Sequence, residues 1–369
     1  MKLLKPDPIG VAAEEPPKRS KKTSAFIKKH WKLEVGIVAV VAIVAGAVFY
    51  LIAQNSAGEF GLISKTSNDA KPVYYATLTG KKVGGKAEET HAVTAIMIEN
   101  SPDARPQSGL KDSGVVFEAI AEGGITRFLV LYQTEKPQLI GPVRSVRLYY
   151  VDWLTPYQAS VAHVGGSAAA LNLVRNGSYR DIDQFFNAGF YWRATDRYAP
   201  HNVYTKFELL DELNKAKGYT KSEFAPWPRQ TGKAAKEPNA TSIHVTISSE
   251  LYNSLYTYDT ASNKYLRSHE YGGAHLDREQ GQIAPDTVIV MKVNQSRVNE
   301  DGTRESIETS GSGAVYIFQN GVVTEGIWAK TSREAMIEFK DSAGKQVKLN
   351  RGQTWVTAIP NSSGNVAWQ

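Results

Sequence analysis

The sequence predicts an α+β or α/β first domain, a β-rich second domain, and one transmembrane helix ahead of both. Three observations carry that prediction. A 19-residue uncharged run, Val35 to Ala53, precedes everything else that looks folded. Between Ala92 and Lys217, short apolar strands alternate with amphipathic helical stretches. Beyond Thr241 the apolar residues recur almost entirely with the strand period, broken by closely spaced turns such as Gln319-Asn320-Gly321 and Ser342-Ala343-Gly344.

The apolar run reads VGIVAVVAIVAGAVFYLIA and has no polar face. As a helix it spans about 28 Å, close to the hydrocarbon thickness of a bilayer. Lys28, Lys29 and Lys32 flank its start, which places the N-terminus in the cytoplasm and the bulk of the chain outside it. The expected organisation is a disordered basic tail over 1–34, a membrane span over 35–53 and a stalk over 54–91. A first domain over 92–220, a linker over 221–240, a second domain over 241–360 and a short tail over 361–369 complete it.

Charge follows the same division. Of 43 Lys and Arg, nine lie in residues 1–34, against four acidic residues; residues 58–369 carry 34 basic and 33 acidic side chains. The high isoelectric point thus belongs to the tail. A near-neutral body gives no footprint for nucleic acid. The chain has no cysteine, which excludes disulfides, thiolate metal sites, cysteine nucleophiles and lipid attachment through a cysteine.

Within the first domain, strands are expected at Ala92–Ile98, Gly114–Ala121, Ile125–Gln133, Leu139–Val143 and Ala159–Val164. Helices are expected from Arg147 to Leu154, from a Ser167 cap to Asn176-Gly177, and from Asn202 to Lys217, where Phe207, Leu210 and Leu213 share a face. The Pro-containing stretch Lys221–Ala240 reads as a loop or junction. In the second domain the expected strands are Ser242–Ile247, Leu255–Asp259, Tyr265–His269, Thr287–Val293, Glu305–Thr309, Ala314–Phe318, Gly321–Trp328, Ala335–Phe339, Gln346–Leu349 and Thr354–Ile359.

Polar residues beside glycines and prolines crowd Asn100 to Tyr204. Arg144 and Arg147 follow a Gly-Pro turn. With Arg105, Arg127, Arg193 and Arg197 they form a candidate site for phosphate or carboxylate, which guanidinium forks grip in pairs. Structural ion pairs to Glu118, Glu122, Asp152 and Asp181 are the alternative. His163-Val-Gly165-Gly166-Ser167 lies between a strand and a helix, so it is a candidate anion-binding turn or a plain Ser167 cap. Asn202 follows His201 in a second motif. Candidates for proton transfer are His163, His201, Glu118 and Glu122. The two glutamates are expected on one face of a strand, where a solvated face is the bland explanation. No metal or cofactor signature occurs, and no G-x-S-x-G elbow supports a nucleophile built from Ser145 or Ser167.

These motifs resemble the YerB family of exported bacterial proteins. The matching runs include Leu78–Gly80, Ile96–Asn100, Ala104–Gly109, Glu118–Phe128, Ile140–Arg147, His163–Ser167 and Ala199–Tyr204. In the second domain they include Gly311–Gly313, Gly326–Trp328 and Gly352–Trp355. The resemblance implies two adjoining domains of unknown function on the outer face of the cytoplasmic membrane. Family members are typically lipoproteins; this chain departs in lacking a cysteine. The resemblance brings no catalytic residues. The expected function is binding of an anionic cell-wall polymer or an envelope protein through the first domain. An enzyme acting on an anionic envelope glycan or lipid-linked precursor, and an assembly factor for wall synthesis working through the β-rich domain, are the alternatives.

Overall fold

The computed structural model describes residues 72–298 and 304–369. The predicted tail and membrane span, and the stalk up to residue 71, lie outside the described residues. Among the described residues, no helix is long and apolar enough to cross a membrane.

The first half contributes β1 (Thr94–Glu99), β2 (Val115–Glu122), β3 (Ile125–Tyr132), α1 (Leu148–Leu154), β4 (Ser160–Ala162), α2 (Ala168–Asn176), β5 (Arg180–Asp181) and α3 (Phe207–Ala216). The second half contributes β6 (Ser242–Thr246), β7 (Ser254–Asp259), β8 (Lys264–His269), β9 (Thr287–Val293), β10 (Gly311–Gln319) and β11 (Val322–Lys330). It ends with β12 (Glu338–Asp341), β13 (Thr354–Pro360) and β14 (Asn365–Trp368).

Both halves share one 12-stranded mixed sheet, with the main order β12-β11-β10-β9-β13-β2-β3-β1-β4-β5. The seam is the parallel pair β13–β2, which sets Trp355 opposite Val116 and Thr357 opposite Glu118. β2, β1, β4 and β5 run in one direction and β3 runs against them. The carboxyl ends of those four strands therefore lie along one edge, where open α/β sheets commonly bind ligands.

Apolar side chains of β1–β3 alternate between two cores. Phe117, Leu129 and Leu131 face α1 and α2, whereas Val116, Phe128 and Val130 face α3 through Phe207, Leu210 and Leu213. A second sheet of β8-β7-β6-β14 and Gly273–Ala274 covers β9, β10 and β13 through Ile243, Tyr256 and Tyr265.

Several boundaries differ from the sequence reading. Residues 72–91, expected in the stalk, fold into the body: Ala76 and Leu78 are buried, and the Leu78 amide donates to Gln133 Oε1 at 2.8 Å. The expected linker is woven in too. Trp227 is buried against Phe117 and Phe339, and Arg229–Gln230 pairs with Leu349–Asn350. The expected C-terminal tail supplies β14, which pairs with β6. Leu139–Val143 is no strand: Pro142 lacks an amide hydrogen, so the segment makes only isolated bridges, Ile140 to Thr205, Gly141 to Ser108 and Val143 to Ile98. The last helix starts at Phe207, because Val203–Tyr204 pairs with Trp192–Arg193.

Candidate functional site

The edge carrying the carboxyl ends of β1, β2 and β4 collects Glu99, Glu122 and the His163 turn, and the segment Val143–Arg147 runs beside them. The Arg144 amide donates to Met97 O at 2.9 Å, and the Val164 amide donates to Arg144 O at 3.1 Å. Gly166 makes this approach feasible. A Cβ there would stand 2.7 Å from Val146 Cγ1 and 2.9 Å from the Val146 carbonyl oxygen. The peptide bonds Arg105–Pro106, Gly141–Pro142 and Ala199–Pro200 in the surrounding motifs are cis.

Glu99 is the centre of the cluster and was not singled out from sequence. Its carboxylate is almost fully buried. Oε2 lies 2.9 Å from His201 Nδ1, Oε1 accepts from Ser101 Oγ at 3.0 Å, and Oε1 lies 3.3 Å from Arg144 Nε. Ser101 Oγ is also 3.2 Å from His201 Nδ1. Burial holds the Arg144 guanidinium below the ordinary arginine value; Glu99 opposes that shift and Arg127 adds to it. Arg144 is a quarter exposed. Among the described residues its Nη atoms donate to no protein acceptor, so they remain open to an anion.

The other arginines are engaged in structure. Arg127 donates to Glu122 Oε2 at 3.1 Å and to Ser145 O at 2.9 Å. Arg147 pairs with Glu122 and donates to Val146 O. Arg105 holds Asn100 O, Asn100 Oδ1 and Leu251 O. Arg197 donates to Asp103 O and Pro106 O. Arg193 donates to Asn202 Oδ1 at 2.8 Å, and Asn202 in turn donates to Ala194 O and Arg197 O, which makes it a loop fastener. Arg193 lines a separate cleft of about 380 Å³ with Trp192, Asp196 and Arg278.

Among the proton-transfer candidates, Glu118 and Glu122 do not share a face. A bulge between Ile120 and Glu122 inserts one residue, which turns Glu122 to the side of Arg127 and Arg147. Glu118 stays on the opposite side, fully buried. Arg267 Nη2 donates to its oxygens at 3.1 and 3.0 Å, Trp355 Nε1 at 3.0 Å and Thr126 Oγ1 at 3.2 Å. Arg267 also contacts His275, whose Nε2 lies 3.0 Å from Gln107 Oε1. This buried network joins the two halves and leaves Glu118 no opening.

His163 is also buried. Its Nδ1 lies 2.7 Å from Gly165 O and its Nε2 lies 3.0 Å from Asp181 Oδ1. Burial raises the Asp181 pKa, but the His163 hydrogen bond and charge outweigh it and the net shift is downward. His163, Asp181 and Asp183 are close enough to surround a cation. Their donors are already matched: Arg175 Nη2 sits 2.6 Å from Asp183 Oδ2, and the Asp183 amide donates to Asp181 Oδ1 at 2.9 Å. The Gly165 turn is likewise closed. The Gly165 amide faces Asp183, the Ser167 amide donates to Val146 O, and Ser167 Oγ caps the Ala170 amide.

The fold and site thus define a mixed-sheet, two-segment protein with a polar edge site. Residues 78–220 match the family described as Protein of unknown function (DUF3048) N-terminal domain, and residues 243–356 match its C-terminal domain. The chain belongs to this family. It is 33% identical over 312 residues to YerB of Bacillus subtilis (strain 168), a protein named as a lipoprotein, covering 82% of this chain and 92% of that one. It is also similar to the crystal structure of the YerB protein from Bacillus subtilis. That match has a TM-score of 0.70 and 29% identity, and it covers 79% of this chain and 99% of the other.

Proposed function

We propose that this chain is a membrane-anchored extracytoplasmic protein that binds anionic groups of an envelope polymer at the edge site. The single observation that carries the binding is Arg144: its Nε forms an ion pair with buried Glu99 at 3.3 Å but makes no hydrogen bond, and among the described residues its Nη atoms donate to no protein acceptor. A partly desolvated guanidinium held by one carboxylate is organised in advance for a second oxyanion. The location draws on the relative's name as a lipoprotein and on the apolar run 35–53, which stands in for the cysteine this chain lacks.

The test is retention on purified wall material. Arg144→Ala weakens it about tenfold, the loss expected for a charge-assisted contact of about 1.5 kcal/mol. The difference between wild type and variant grows at low salt, because an exposed charge is then less screened. Equal retention of the two proteins contradicts the assignment. Protease added outside intact protoplasts digests the body if the orientation is right and spares it if it is wrong.

A further inference from the structure

We infer that the edge site also performs hydrolysis, with His201 as general base and a phosphodiester as the substrate class. The inference rests on the anion-binding reading above. Glu118, Glu122 and His163 have their polar atoms committed to protein partners. His201 differs. A carboxylate on Nδ1 calls for a hydrogen there, so the neutral ring carries its lone pair on Nε2. Nε2 has no hydrogen-bond partner among the described residues; the nearest carboxylate, exposed Asp103, is 4.0 Å away.

One buried carboxylate therefore orients two groups, the base through Oε2 and the anion-holding arginine through Oε1. A base steered by a third residue and set beside an anion holder is the arrangement hydrolysis needs. A phosphodiester suits it better than a carboxylate, because there the charged group bound by Arg144 is itself the reacting centre.

In the step, His201 Nε2 takes one proton from water as the water oxygen bonds to phosphorus. The P–O ester bond breaks, its electron pair leaves on the departing oxygen, and that oxygen takes a proton from solvent. His201 returns its proton to solvent. One water is consumed, and one phosphomonoester and one alcohol form. Arg144 stabilises the charge that builds on the non-bridging oxygens, while Glu99 acts as a positioning residue.

The experiment uses the full chain in detergent with bis(p-nitrophenyl) phosphate as substrate, and binding of inorganic phosphate is titrated in parallel. Wild type releases p-nitrophenol above the buffer rate. His201→Gln loses roughly 100-fold or more of that rate and keeps its phosphate affinity within about threefold. Glu99→Gln, which disturbs both His201 and Arg144, lowers kcat and raises KM. In His201→Ala, added imidazole restores turnover. No release by wild type, undiminished release by His201→Gln, or no imidazole rescue each overturns the hydrolysis. Phosphate binding that persists in those cases leaves the binding site standing; its absence in wild type removes both.

Discussion

Glu99 Oε2 lies 2.9 Å from His201 Nδ1 across 102 residues of sequence, and the same carboxylate meets Arg144 through its other oxygen. β1 delivers Glu99 at its buried carboxyl end, the Gly141–Arg147 segment delivers Arg144, and the loop closing on Tyr204 delivers His201. The site is thus a product of topology: three segments meet where parallel strands end.

The Glu118–Arg267 pair fastens the halves together. Both side chains are fully buried, so removing either partner strands a charge in the interior. Glu118→Gln and Arg267→Met each lower the unfolding free energy by about 3–5 kcal/mol, and replacing both with apolar residues recovers a large part of the loss. Urea unfolding followed by tryptophan fluorescence checks this. Single variants as stable as wild type contradict it.

Acid sensitivity follows from the same core. Burial first, then Arg267 and Arg105, push the His269 pKa down to about 2. Burial, Arg267, His269 and Arg105 also hold His275 well below its ordinary value. The unfolded chain protonates both near pH 6.5 while the folded chain does not, so it binds more protons below that pH. Their contribution is fully present above pH 6.5 and is lost as pH falls below it, for His269 down to about 2. The loss is up to about 1.4 kcal/mol per pH unit for each histidine. Urea midpoints between pH 7 and 4 fall more gently in His269→Gln than in wild type; identical slopes would speak against it.

The glycine turn separates packing from tolerance. Gly166→Ala forces a methyl onto the Val146 backbone and costs about 1–3 kcal/mol. Gly189→Ala meets no heavy atom within 4 Å and changes stability by less than about 0.5 kcal/mol. Thermal midpoints of the two variants give the comparison, and equal midpoints refute the packing argument.

Alternation made the strands legible. The run from Thr94 to Glu99 is buried on both faces, while β6, β7 and β8 bury every second residue. The Ser167 cap and Gly177 stop were readable because helix ends are settled locally. The bulge that turns Glu122 was not, since one inserted residue leaves no composition signal. Glu99 carries no local signal, because its partners come from distant segments. Arg267 left a clue: strand alternation puts it and His269 on the same side as buried Tyr265, two polar residues on a core face. The shared sheet was hidden by the Pro-containing stretch over 221–240, whose composition reads as a linker although Trp227 is anchored to Ile337 O.

The central claim is that Arg144 is the open cation of a built anion site. Calorimetric titration of the full chain with inorganic phosphate tests it most directly, comparing wild type, Arg144→Gln and Arg197→Gln. The account predicts saturable binding that Arg144→Gln weakens about tenfold or more and Arg197→Gln leaves largely unchanged, because Arg197 already holds Asp103 O and Pro106 O. Equal affinity of wild type and Arg144→Gln, or no binding by wild type, would contradict it.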